Sequence, residues 1–120
     1  MDTPKIFESE YRFCLILWDN EPVSSGRLVQ LSKDNLGWSK ATTYTVIRRL
    51  CERGVLKNEN TIVTSLSSKE EAQKHRLEEM VDETFEGSMP AFIAAFSKSR
   101  KLTRQGVDQL QALIDSFEED

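Results

Sequence analysis

Apolar residues recur at helical spacing along nearly all of this chain, and the period drops to two only in the stretch that begins after Gly54. Three helical segments precede that change and three follow it, so a small β element must be inserted into an otherwise helical protein. Val55-Leu56-Lys57 and Thr61-Ile62-Val63-Thr64-Ser65-Leu66 are short β-prone runs, and Asn58-Glu59-Asn60 between them reads as the turn of a hairpin.

The helices before the hairpin are bounded by ordinary start and stop signals. In Phe7 to Asp19 the residues Phe7, Tyr11, Cys14, Leu15 and Trp18 keep helical spacing, and Asn20-Glu21-Pro22 breaks the pattern. Val23-Ser24-Ser25 opens a second helix with Ser24 as N-cap and Leu28, Val29 and Leu31 as its buried stripe. Asn35-Leu36-Gly37 closes it, the glycine being suited to a left-handed cap. Ser39 starts the third helix, and Gly54 stops it. Thr43, Val46, Ile47 and Leu50 fall at i, i+3, i+4 and i+7 and form its inward face. Lys40, Thr42, Tyr44, Thr45, Arg48 and Arg49 are then left on the outward face. Three helices, a short second turn and a hairpin are the order of a winged helix-turn-helix: mainly α, with a small β-hairpin wing, over residues 1–66.

Residues 67–120 read as a helical segment that pairs two copies. Ser67-Ser68 followed by Glu70-Glu71 offers two capping-box registers for the fourth helix, which carries Leu77, Met80, Val81, Thr84 and Phe85. Gly87-Ser88 breaks it before the apolar helix Met89-Pro90-Ala91-Phe92-Ile93-Ala94-Ala95-Phe96. Thr103 caps a last helix with Val107, Leu110, Leu113, Ile114 and Phe117 on one side. Met80, Phe85, Met89, Phe92, Ile93 and Phe96, with Leu110, Ile114 and Phe117, would leave a large apolar patch exposed on a monomer. A two-fold partner presenting the same patch is the simplest cover, and a fold-back onto the winged helix is the alternative.

Several function classes find no support. No apolar run approaches the roughly 18 residues a membrane span needs, and MDTPKIFESE lacks a signal-peptide core, so a soluble, cytoplasmic protein is expected. Cys14 and Cys51 stand far apart in apolar surroundings and read as small buried hydrophobes, not as a disulfide or metal-ligand pair. His75 stands alone in a charged stretch and reads as a solvated helix residue. No nucleophile–base pairing, glycine-rich phosphate loop or zinc motif is present, so neither an enzyme nor any cofactor or metal is expected. The acidic residues from Glu78 to Glu86 have helix-surface spacing and read as a solvated face.

The net charge of −4 would argue against nucleic acid, but its distribution does not. From Arg27 to Lys57 there are 7 basic and 2 acidic residues; from Ser67 to Asp120 there are 7 basic and 12 acidic. A reversal of this kind hints at a binding face. Threonine and serine hydroxyls, a threonine methyl and the ring and hydroxyl of Tyr44 can meet base edges in a major groove, which suits the outward face of the third helix. Arg48, Arg49, Arg53 and Lys57 would lie nearer the backbone, where charge sets affinity without reading sequence.

The segments EYRFCLILWDNEPVSSGRLVQ, WSKATTYTVIRRLCERGVLKNE and ETFEGSMPAFIAAF, followed by a terminal helix, resemble the penicillinase and methicillin-resistance repressor family, the BlaI/MecI/CopY type. The similarity runs from about Glu10 to Phe117. Its most specific pieces are Leu17-Trp18, Trp38-Ser39 with Thr42 and Thr45, Arg49-Leu50 with Gly54-Val55-Leu56, and Gly87-Ser88. The resemblance implies a homodimer that binds inverted-repeat operators in double-stranded DNA and blocks transcription, with Ser39 through Arg53 as recognition helix. It places base reading on Thr42 and Tyr44, with Thr45 close to the phosphates; Ser39 and Lys40 are expected at the DNA backbone as well. Many relatives have arginine where Tyr44 stands, and a more basic or aromatic wing than Lys57-Asn58-Glu59-Asn60, so both the operator and the wing contact here differ from theirs. In the best-known relatives a membrane sensor protease system leads to cleavage in the C-terminal helices; by position the bond is near Ala95-Phe96. The copper-responsive branch carries clustered C-terminal cysteines, which are absent here, so metal sensing is not expected. The rival reading is a winged-helix anti-repressor that binds another regulator and reads no DNA sequence.

Overall fold

The computed structural model describes residues 4–99 and 103–115. The elements follow in the order α1 (Glu8–Asn20), β1 (Val23–Ser24), α2 (Ser25–Leu36), α3 (Lys40–Glu52), β2 (Leu56–Glu59), β3 (Ile62–Ser65), α4 (Lys69–Phe85), α5 (Met89–Ser99) and α6 (Arg104–Asp115). Hydroxyl caps set most of the helix starts. Ser24 Oγ accepts the Arg27 N–H at 3.1 Å, Ser39 Oγ that of Thr42 at 3.1 Å, Ser88 Oγ that of Ala91 at 3.1 Å and Thr103 Oγ1 that of Gly106 at 3.0 Å. Of the two registers open at the start of α4, the structure uses Ser68, whose Oγ accepts the Glu71 N–H at 3.0 Å.

The helices and the hairpin assemble as a winged helix. One compact unit runs from the N-terminus to Leu77 and a second from Glu78 onward. In the first, Phe13, Cys14 and Leu17 of α1, Leu28 of α2, Val46, Ile47 and Leu50 of α3, and Val55, Leu56 and Val63 of the hairpin make one buried cluster. Phe13 stacks on Trp38 with ring centroids 5.8 Å apart and an interplanar angle of 9°, which pins the α2–α3 turn to α1. Gly37 enters that turn at φ 71°, the left-handed cap expected of it. Ala72 of α4 is buried in the same cluster, so the start of α4 packs with the winged helix.

The structure corrects four local readings. The buried stripe of α2 is Ser25, Leu28 and Ser32, with Val29 and Leu31 only half-buried beside it, because the face turned to the core is one short side chain wide on either side of Leu28. The buried face of α1 is Glu10, Phe13, Cys14 and Leu17. Tyr11, Leu15 and Trp18 lie at its margin, half-buried, and Phe7 is the extended N-cap residue, outside the helical phase, with 54% of its surface exposed. Val23-Ser24 does not simply open α2. It forms a short strand that pairs antiparallel with β3 (Val23 with Val63, Ser24 with Ile62), giving a sheet of order β1-β3-β2. A two-residue strand is too brief to show alternation, and its partner is distant in sequence. The hairpin turn is Asn60-Thr61, at φ 52° and 67°, while Asn58 and Glu59 belong to β2 and pair with Val63 and Ile62. Two consecutive left-handed residues match the right-handed twist of the flanking strands, and asparagine tolerates that conformation.

In the second unit the end of α4 is marked by left-handed Glu86 and Gly87, and the Gly87 N–H reaches the Val81 carbonyl at 3.1 Å. Phe85 and Phe92 meet edge to face at 5.7 Å, and Phe92 is 6.3 Å from Phe96. Among the described residues no helix is long and apolar enough to cross a membrane.

The cysteines differ in environment more than their apolar neighbours indicate. Cys14 is fully buried, and burial pushes its thiol up to about 12, whereas Cys51 is only partly covered and its thiol is raised, mainly by burial. A thiol-reactive dye at neutral pH should therefore label Cys51 slowly in the native protein and Cys14 only on unfolding. Equal labelling of both in the native state would contradict the packing of α1.

Candidate nucleic-acid interface

The inner face of α3 fixes what its outer face presents. Thr43, Val46, Ile47 and Leu50 are buried, all four of the residues whose spacing marks them as inward. Thr43 also donates its hydroxyl to the Ser39 carbonyl at 3.1 Å, so its polar atom is satisfied inside the helix. The opposite side must then face solvent. Lys40, Tyr44 and Arg48 follow one another at four-residue spacing, and Thr42, Thr45 and Arg49 form the adjoining row. All are exposed except Thr45, which is half-buried, and Tyr44 retains 39% of its surface.

At the start of α3, Ser39 does more than cap. Its Oγ accepts the Thr42 N–H and donates to Thr42 Oγ1 at 3.0 Å. The Thr42 hydroxyl is therefore held in one orientation with its own proton still available, and the helix N-terminus adds a partial positive charge beside it. Hydroxyl donor, threonine methyl, phenol and guanidinium together make a surface that can meet base edges and phosphates.

Two of the basic residues expected near a backbone differ from this set. Arg53 is folded inward. Its Nη2 donates to the buried Glu10 carboxylate, its Nη1 to the Lys5 carbonyl at 2.9 Å, and its guanidinium lies 5.2 Å from the Phe7 ring. The Glu10 carboxylate also accepts the Phe7 N–H at 2.9 Å. This knot ties the end of α3 to the approach to α1. Sequence reasoning missed it because the partners lie some forty residues apart and an arginine at a helix end usually serves solvent. Lys57, on the wing, sits 3.8 Å from Glu59, which offsets its charge.

The residues assigned to pairing lie in α4, α5 and α6. Met80, Phe85, Phe92 and Leu110 are half-buried, and Met89, Ile93 and Phe96 are exposed. Ile114 is 66% exposed, while Phe117 lies outside the described residues. Phe92, Ile93, Phe96 and Leu110 line an apolar depression of about 210 Å³. Val107 and Leu113 share the exposed side of α6 with Ile114, and the helical period that groups them is visible in the sequence. Ala95 and Phe96 are exposed within α5. Among the described residues no group of three or more His, Cys, Asp or Glu side chains could hold a metal ion.

Comparison with known proteins gives this arrangement a context. Residues 6–116 match the family model described as penicillinase repressor. Over 117 residues the chain is 22% identical to the methicillin resistance regulatory protein MecI of Staphylococcus aureus strain Mu50, an alignment spanning 94% of this chain and 95% of that protein.

The contrast between Arg53 and its outward neighbours is measurable. Glu10→Gln should cost about 2–3 kcal/mol of urea-unfolding stability, because it weakens the charged acceptor of both Arg53 and the Phe7 N–H. Arg48→Ala should stay within about 0.5 kcal/mol of the parent. Equal losses for the two would show that Arg53 is not tied in this way.

Proposed function

The chain belongs to the penicillinase repressor family and is a transcriptional repressor of that type; from this premise we propose that it binds an inverted-repeat operator as a homodimer, with α3 of each copy in a major groove. The observation that carries the proposal is the outward face of α3. Thr42 and Tyr44 are the base readers, and Ser39, Lys40, Thr45, Arg48 and Arg49 contact the sugar–phosphate backbone, with Lys57 as a weak wing contact. Arg53 is left out of this set because its guanidinium is committed to Glu10 and Lys5.

Two copies act together because each half-site interaction is small. Once one α3 is seated, the other meets its half-site at high effective concentration, so affinities combine although no new contact forms. The exposed apolar residues of α5 and α6, from Met89 and Ile93 to Leu113 and Ile114, provide the surface for pairing. Half-sites are then spaced by about one helical turn, roughly 10 base pairs, or a multiple of it. The repressor acts in the bacterial cytoplasm. We assign its release to cleavage in α5 near Ala95-Phe96, in response to a cell-wall antibiotic or a similar signal relayed by a membrane sensor protease. The related protein's name ties it to methicillin resistance, which is the motive for that assignment.

A partner-binding module that reads no DNA sequence is the other reading, and the Lys57–Glu59 pairing on the wing is what favours it. Anisotropy titrations over a range of salt concentrations separate the two. Operator binding predicts an affinity that falls steeply with salt, and Arg48→Ala should reduce that slope by about 2 per dimer, one phosphate contact from each copy. Thr42→Ala or Tyr44→Ala should cost about 1–3 kcal/mol at particular base pairs and leave the slope unchanged. Binding that ignores base sequence would exclude the repressor reading.

Pairing has its own test. Ile114→Glu should shift the protein from dimer to monomer in sedimentation velocity at micromolar concentration, because a charge would be placed on the apolar face of α6. A parent protein that sediments as a monomer would remove the dimer from the proposal.

A further inference from the structure

The hydroxyl of Thr42 is held by a chain of contacts that starts in the core. Phe13 stacks on Trp38, and the Trp38 N–H reaches the Ser32 carbonyl at 3.3 Å, so the residue before Ser39 is fixed to both α1 and α2. The Ser39 carbonyl accepts the Thr43 N–H at 3.0 Å and the hydroxyl of fully buried Thr43 at 3.1 Å. Ser39 is thus clamped from behind, with extended backbone at φ −71° and ψ 161°. Its Oγ accepts the Thr42 N–H at 3.1 Å and donates its own proton to Thr42 Oγ1 at 3.0 Å. A helical threonine divides between two χ1 rotamers, and the bond from Ser39 selects one of them. The same bond fills a lone pair of Thr42 Oγ1 and leaves the Thr42 proton unengaged, which biases the group toward donating.

We propose that Ser39 is a positioning residue for base recognition: it presents Thr42 as a hydrogen-bond donor, so that α3 selects a keto edge (guanine O6 or thymine O4) over an amino edge (adenine N6 or cytosine N4). The inference rests on the reading of Thr42 as a base reader given above. In the major groove the two kinds of edge occupy equivalent places and are exchanged by a G→A or T→C change. A donor aimed at such a place gains a bond from the carbonyl. Against an amino group it meets a second donor, and both groups are left unpaired. Contact of Ser39 with the sugar–phosphate backbone then falls to its main-chain N–H, because its hydroxyl proton is engaged by Thr42.

The test uses the full chain and an operator enriched from random duplex DNA by the parent protein. Thr42→Val, which keeps the shape and removes the hydroxyl, first locates the base pair that Thr42 reads. Exchanging keto for amino at that base pair in one half-site should weaken the parent roughly tenfold. Ser39→Asp keeps an N-cap but offers only acceptors, so the Thr42 proton turns inward and its lone pairs face the duplex. The preference at that base pair should then reverse, whereas the added charge weakens binding to every operator alike and cancels in the ratio. Ser39→Ala frees the Thr42 hydroxyl to donate or accept and should narrow the ratio to within about threefold. Ser39→Thr, which returns the hydroxyl, should restore it. Ser39→Ala also keeps the test open should Ser39→Asp bind too weakly to measure. If the Ser39 variants that bind keep the parent's preference, positioning by Ser39 is overturned and the repressor reading stands. A Thr42→Val protein with the parent's preference at every base pair overturns the inference through its premise, and again leaves the repressor. A parent that enriches no sequence from the pool overturns both.

Discussion

The burial of one face of α3 governs what this helix can offer to a partner. Val46, Ile47 and Leu50 join the core cluster, Thr43 is buried with them where α3 packs on α2 and the hairpin, and a helix has only one remaining side. The hydroxyls, phenol and guanidinium groups of that side are exposed because the core excludes any other rotation of the helix. Burying four residues of this kind contributes several kcal/mol, far more than any single outward contact costs or gains. The Phe13–Trp38 stack and the Gly37 cap then place the beginning of α3, where Ser39 orients Thr42. Chemistry at the surface is thus a by-product of packing in the interior.

Charge follows the same logic at a longer range. The chain is acidic as a whole, yet the cations of α3 stand on a face with few carboxylates, and the acidic excess is carried beyond residue 67. Where an arginine would disturb that order, it is taken out of circulation: Arg53 is absorbed by buried Glu10 and by the Lys5 carbonyl. A cation on the chain is not automatically a cation on the face. Its partners decide.

How legible this was in the sequence depends on the distance over which each feature is determined. The third helix was readable in full, from the Ser39 cap to the four inward residues, since caps and periodicity are local signals. The caps at Ser24 and Thr103 were readable for the same reason. The first helix was read slightly out of phase, because Phe7 looks apolar enough for a core but occupies the extended position before the helix begins. Strand β1 was not readable: two residues carry no alternation, and their partner Val63 is forty residues away. The partners of Arg53 and Arg76 were hidden likewise, since Glu10 and Lys5, and Glu8 and Tyr11, are remote in sequence from the arginines they meet. The outward set on α3 was legible as a surface, because the inward residues fix which side is left over.

The sheet order β1-β3-β2 leaves two outer strands with unsatisfied backbone groups along one side. One is two residues long, and the other, Lys57-Asn58-Glu59 after Leu56, is polar and charged over most of its length. Outer strands so short and so hydrophilic are poor templates for a foreign strand. Ribbon-like growth of copies into fibrils therefore has a poor foothold at the sheet.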